Sequence, residues 1–193
     1  METIIGHQKW MAENLNVDSF RNGDPIPQAK SIKEWNKAAR NREPAWCYFA
    51  NKTENGVQFG KLYNFFAVID PRGLAPEGWR IPTQEDWVQL STSLGGHPVA
   101  GRALKNEDGC NDQGNGNNLS GFSAMPGGFR EITLLNSNNG FLGLGNTGYW
   151  WSSTYDSRTE SVWVVSLSKR DDKLFTTFDT AFSDGYSIRC IKD

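Results

Sequence analysis

Few residues in this chain have the types and spacing that catalysis needs. The 193 residues hold 2 histidines and 3 cysteines, the groups on which acid–base and thiol chemistry at neutral pH most often depend. His97 precedes Pro98 at a turn and reads as a solvated side chain, and nothing near His7 suggests a partner. Gly121-Phe122-Ser123-Ala124-Met125 opens like a nucleophile elbow, but it lacks the final glycine and no helical pattern follows it. No Cys/His pair has zinc spacing. Residues 106–115 (Asn-Glu-Asp-Gly-Cys-Asn-Asp-Gln-Gly-Asn) gather oxygen ligands of the kind calcium takes, without EF-hand spacing. They read as a hydrated loop, with a structural calcium as the alternative; no other cofactor is expected. The glycine-rich stretches 126–129 and 140–145 precede no helix, so neither builds a phosphate cradle. Glu85-Asp86 and Asp171-Asp172 read as capping or solubilising pairs. Cys47, Cys110 and Cys190 are too few and too spread for a disulfide scaffold. Two readings stand: buried free thiols, or a Cys47–Cys190 bridge. No catalytic constellation emerges, and the expectation is a non-enzyme.

The elements around these residues look rigid and rich in turns. Gly (20) and Asn are abundant, and hydrophobic residues make up 37% of the chain, which favours a loop-rich fold over a helical bundle. The length suits one domain, 1–193. Net charge is −2, so the clustered basic surface that nucleic acid requires is absent. No stretch is long and apolar enough for membrane insertion. No signal peptide is recognisable at the N-terminus.

Residues 3–17 read as strand, and Ser31 as the N-cap of a short helix over 32–39. Residues 45–49 read as strand, 52–56 as loop, and 61–69 as a helix carrying Leu62, Phe65, Phe66 and Ile69 on one face. Thr83-Gln84-Glu85-Asp86 is a capping-box-like start for a helix bearing Trp87, Leu90 and Leu94. A further helical turn is expected within 97–105. Residues 106–146 form a long loop with short strands inside, anchored by Phe122, Met125, Phe129 and Ile132. Strands are expected at 149–154, 161–168, 172–180 and 186–191. Trp150, Trp151 and Trp163 fall within fourteen residues, and indoles so placed suggest a packed sheet with a defined face.

A set of landmarks runs in order along nearly the whole chain. It comprises Trp10-Met11-Ala12-Glu13-Asn14-Leu15-Asn16, Arg21-Asn22-Gly23-Asp24-Pro25-Ile26-Pro27, Trp46-Cys47-Tyr48, Gly60-Lys61-Leu62-Tyr63-Asn64 and Ala75-Pro76-Glu77-Gly78-Trp79. Pro82-Thr83 with Trp87, Leu94-Gly95-Gly96, Pro126-Gly127-Gly128-Phe129-Arg130, Tyr149-Trp150-Trp151-Ser152-Ser153 and Ser187-Ile188-Arg189-Cys190 complete it. In these the chain resembles the Fibrobacter succinogenes major paralogous domain, common in Bacteroidetes-type genomes.

The resemblance implies an α+β chain of C-type-lectin-like fold: a twisted, mainly antiparallel sheet with two or three flanking helices and paired terminal strands. It implies a surface, secreted or phage-borne domain that recognises a protein or glycan, as in ligand-binding ends varied by diversity-generating retroelements. The C-terminal strands and loops, residues 155–184, would form the face. Tyr155, Asp156, Arg158, Glu160, Ser168, Arg170, Asp172, Thr176, Phe178 and Phe182 would be its ligand-binding residues. The calcium motifs of sugar-binding lectins are absent, as are the catalytic cysteines of the related formylglycine-generating enzymes. The alternatives are an enzyme of that group or a structural module of a surface assembly.

Overall fold

The structure is a computed structural model that describes residues 1–132, 139–179 and 182–193. The expected loop 106–146 and the expected strand 172–180 each extend into residues outside that set.

The fold is α+β, with mostly antiparallel sheets. Strands β1 (Glu2–Ile5) and β2 (Gln8–Met11) form a hairpin. Helix α1 (Ile32–Asn41) starts where expected: Ser31 Oγ accepts the Glu34 N–H at 3.2 Å. Then come β3 (Trp46–Cys47), a 3₁₀ turn (Phe49–Asn51), α2 (Thr53–Phe59), β4 (Leu62–Tyr63), α3 (Phe65–Val68) and β5 (Trp79–Arg80). Helices α4 (Gln84–Ser93) and α5 (His97–Leu104) follow, and the capping box at Thr83 is complete. Strands β6 (Gly127–Arg130), β7 (Phe141–Leu144), β8 (Thr147–Asp156), β9 (Ser161–Ser168), β10 (Leu174–Asp179) and β11 (Ile191–Lys192) close the chain.

Among the described residues three sheets form, in the orders β1-β2-β11-β5, β10-β9-β8-β6-β7 and β3-β4. The terminal strands pair as expected, with Ile191 opposite Trp10. The pairing is antiparallel except where β6 meets β8 and at the isolated bridges Gln28–Trp46, Lys105–Ala124 and Trp150–Ser187.

Several local expectations are corrected. Five helices are present among the described residues, not two or three. Residues 53–59 form α2 rather than a loop. Gly56, the last residue of that expected loop, is required there by packing, because a Cβ on it would lie 2.1 Å from Tyr48 Cε1. Residues 61–69 are not one helix. β4 pairs with β3, and Asn64 then starts α3 by accepting the Ala67 N–H at 3.2 Å. Residues 186–190 are not a regular strand. Their backbone hydrogen bonds go in turn to Tyr63, Tyr149, Trp151, Leu15 and Met11, lacing the sheets together.

The five-stranded sheet is covered on both sides. Trp151, Val162 and Val164 face a core containing Tyr63, Phe65, Tyr186 and Ile188. Trp150, Trp163, Val165 and Leu167 face another containing Trp10, Trp87, Leu90 and Phe122. Trp150, Trp151 and Trp163 are buried as expected. The Trp151 indole N–H donates to the Tyr63 carbonyl at 2.7 Å, which satisfies its polar edge. A third cluster joins Trp35, Cys47, Phe49 and Phe141. Cys47 and Cys190 are buried free thiols in different clusters, so the Cys47–Cys190 bridge is not formed.

Candidate recognition surface

β8 supplies the first aromatic side chain of the surface. Trp151 lies opposite Val164 of β9, yet Tyr155 lies opposite Val162. Four steps on β8 therefore match two on β9, a bulge of the sort that re-aims side chains. Neighbouring elements hold it. Ser153 N–H donates to the Pro82 carbonyl at 2.8 Å, and Thr154 Oγ1 accepts the Gln84 N–H at 2.9 Å. Past the bulge, Tyr155 emerges about half exposed.

The Tyr155 ring meets Phe65, with centroids 5.7 Å apart. Phe65 is fully buried and also packs on Trp151 at 5.3 Å and Phe182 at 4.8 Å. Phe66 lies edge-on to Phe182 at 6.2 Å. The Phe65 N–H donates to the Phe182 carbonyl at 3.0 Å, so α3 and the 182 segment are joined through backbone as well. Ile69, 41% exposed, caps α3 three residues after Phe66, the spacing that puts two side chains on one helix face. Tyr155, Phe66, Phe182 and Ile69 thus form a partly exposed apolar patch over a buried Phe65 floor. Phe65, Phe66 and Ile69 are absent from the expected site. Their spacing matches a helical core face, and only the capping ability of Asn64 hinted at a separate, short α3.

The β8–β9 hairpin tip adjoins this patch. Asp156 Oδ1 accepts the Arg158 N–H at 2.8 Å; that bond, more than any other effect, holds its carboxyl below the usual aspartate range. Arg158 points into solvent. Glu160 pairs with Arg42, the cap of α1, at 2.5 Å.

The remaining expected residues lie elsewhere. On the edge strand β10, Phe178 is opposite Trp163 and Thr176 opposite Val165, so both point to the Trp163 side of the sheet; Phe175 points to the other side. Phe175 and Phe178 are both exposed. Ser168, Arg170 and Asp172 sit at the far end of β9, roughly 25 Å from the hairpin tip at the usual rise per strand residue. Within the turn Ser168 Oγ accepts the Arg170 N–H at 3.2 Å, and the Asp172 carbonyl accepts the N–H of Gly101 in α5 at 2.9 Å. The ten residues therefore fall into separate groups instead of one continuous face. Residues 180 and 181 of the expected 155–184 surface lie outside the described residues.

The chemistry-bearing residues are likewise placed. Ser123 adopts φ 54° and its Oγ accepts from Asn118 Nδ2 at 2.9 Å. His97 is not free in solvent as expected: its Nδ1 lies 3.2 Å from the Leu174 carbonyl. Cys110 is half-buried, and burial raises its pKa. Among the described residues no cluster of three or more His, Cys, Asp or Glu is arranged to hold a metal. Beside the 106–115 loop, the buried Lys105 ammonium donates to the carbonyls of Gly114 and Asp171, each at 2.9 Å, and pairs with Asp172 at 3.4 Å. No helix among them is long and apolar enough to cross a membrane.

The geometry is that of a scaffold in which many of the large landmark side chains are internal. Trp10, Trp46, Tyr63, Trp87, Trp150, Trp151, Arg130 and Arg189 are all buried. The sequence model of the Fibrobacter succinogenes major domain matches residues 4–192. The chain belongs to this family. No curated protein and no solved structure matches it. Within this Fibrobacter succinogenes major domain, the landmarks build the frame, and the exposed aromatics of β8, α3 and β10 lie between them.

Proposed function

We propose that this chain is a non-enzymatic recognition domain on a C-type-lectin-like scaffold, binding a protein or glycan through the patch of Tyr155, Phe66, Phe182 and Ile69 with Arg158 at its rim. The carrying observation is the partly exposed aromatic group seated on buried Phe65. Rigid aromatic side chains give large contact area at low entropic cost, and arginine adds a charged fork; both are over-represented among residues that dominate binding. The bulge in β8, pinned to residues 82–84, keeps Tyr155 in place before a partner arrives, so little ordering cost remains.

The setting we infer is a secreted, surface-borne or phage-borne protein, diversified by a retroelement where the gene stands beside one. The test is a glycan and surface-protein array probed with the domain and with a variant carrying Tyr155→Ala, Phe66→Ala and Arg158→Ala. Loss of the wild-type signals in a variant of unchanged thermal midpoint is expected. Identical binding profiles would sink the proposed surface.

A further inference from the structure

A second feature shares no residue with the aromatic patch. A cleft of about 350 Å³ opens beside the C-terminal segment, its wall formed by Glu13, Asn14, Gln58, Asn106, Ser123 and Met125, with Arg189. That volume is within the range of small-molecule sites.

Arg189 is buried to 1% exposure, and the Phe122 ring covers one face of its guanidinium at 4.4 Å. Its nitrogen atoms donate to Asn14 Oδ1 at 3.0 and 2.8 Å, to the Met11 carbonyl at 3.2 Å and to the Phe122 carbonyl. Every one of these acceptors is neutral. A guanidinium has five N–H groups, and these four bonds leave one on Nη2 without an acceptor among the described residues. No carboxylate pairs directly with Arg189 among those residues either. A buried charge without a counter-charge is costly, and burial pushes this arginine's pKa down to about 9. Glu13 is exposed at the cleft, and its charge acts on Arg189 from a distance.

We propose that this cleft binds a small carboxylate that also carries a hydrogen-bond donor, the chemistry shared by uronic acids and α-amino acids. The carboxylate supplies the missing counter-charge and takes the remaining Nη2–H. The ligand's hydroxyl or ammonium donates to Glu13. Charge selects against phosphate: among the described residues Arg189 is the one cation in the cleft wall, and Glu13 would repel a dianion. Ser123, held in the left-handed region by its N–H bond to Asn118 Oδ1 at 2.8 Å, adds a hydroxyl to the wall.

The test is an amide NMR titration of the full chain with two matched pairs: sodium glucuronate against glucose, and glutamine against glutaminamide. In at least one pair, the carboxylate member saturates shifts at Asn14, Asn106 and Ser123 and binds about tenfold or more tightly than the partner that lacks the carboxylate, as a charge-assisted contact predicts. Which pair responds separates a sugar-acid site from an amino-acid site. Gln58→Trp, made at an exposed position of the cleft, abolishes that binding at unchanged thermal midpoint while leaving Arg189 in place. The assignment is overturned if neither carboxylate titrates at tens of millimolar, if the partners lacking the carboxylate bind equally well, or if folded Gln58→Trp keeps its affinity.

Discussion

The Trp150 indole N–H donates to Asn14 Oδ1 at 2.9 Å, and the same oxygen accepts from two nitrogen atoms of Arg189. One amide oxygen thus serves an indole of the central sheet and a buried cation of the last segment. Asn14 Nδ2 in turn donates to the Phe59 carbonyl at 2.8 Å, at the end of α2. Asn14→Ala leaves these donors without their acceptor, and a buried charged donor is expensive to strand. The expected loss is about 3 kcal/mol or more in urea unfolding. Asn16→Ala, which removes a single bond to Gly56 from an exposed side chain, should cost under ~1 kcal/mol.

Asp86 links stability to acid pH. Burial works to raise its pKa, but the Arg80 guanidinium, followed by the Thr83 N–H, outweighs burial and holds the value below 3.8. The folded value therefore lies below the unfolded one. Its stabilisation is complete above pH ~4 and is lost as pH falls through the folded pKa. Asp86→Asn should be less stable than wild type at neutral pH, with the gap closing below pH ~4. Urea midpoints at both ends of that range measure it, and a gap that persists undiminished in acid would show that the carboxylate charge is not responsible.

The three thiols should separate by reactivity. Burial pushes Cys47 up to about 11 and Cys190 up to about 12. Both are enclosed, whereas Cys110 is half-exposed. A chromogenic disulfide reagent at mildly alkaline pH should titrate Cys110 first in the folded protein, and all three thiols after denaturation. Cys110→Ser should remove the early phase. Early reaction of Cys47 or Cys190 would contradict the closed core.

Lys105 is expected to hold the 106–115 loop in place of a metal. Lys105→Met strands the Gly114 and Asp171 carbonyls, and should cost about 1–3 kcal/mol. It should also speed amide hydrogen exchange across residues 106–118. A chelator should leave the wild-type thermal midpoint unchanged. A midpoint that drops with chelator and recovers with calcium would restore the metal reading of that loop.

At the aromatic patch, stability and binding should come apart. Phe65→Ala removes a fully buried ring that touches Trp151, Tyr155 and Phe182, at a cost of about 3–5 kcal/mol. Tyr155→Ala, at a half-exposed position of the patch itself, should cost about 1–2 kcal/mol. Thermal and urea unfolding of the two variants decides between this division and a patch that is simply part of the core.

The parts of this fold legible in the sequence are those whose signal is local. Ser31 and Thr83 marked helix starts because a hydroxyl three residues before a free N–H is a self-contained device. β9 was legible because Val162-Trp163-Val164-Val165 is a continuous apolar run, as burial on both faces requires, and β8 because its paired indoles mark a packed strand. The errors came where a distant neighbour decides. Gly56 lies inside a helix because the Tyr48 ring leaves no room for a side chain. Leu62 and Phe65 match a helical period, yet β3 claims the first for a ladder and Asn64 caps a new turn before the second. The patch was half legible for the same reason. Tyr155 and Phe182 were named through the family resemblance, which points to the C-terminal segment, whereas Phe65 and Phe66 come from about ninety residues upstream of Tyr155, and nothing in local pattern joins the two.

β9 has consequences for how this lineage can change. From Val162 to Leu167, side chains alternate between two packed interiors, apart from Ser166. Mutational drift along that strand is penalised whichever way a residue points. Its two ends are different. The hairpin before it and the turn after it present charged, solvated residues whose replacement disturbs little. Inherited variation should therefore accumulate at opposite poles of a nearly invariant central ribbon.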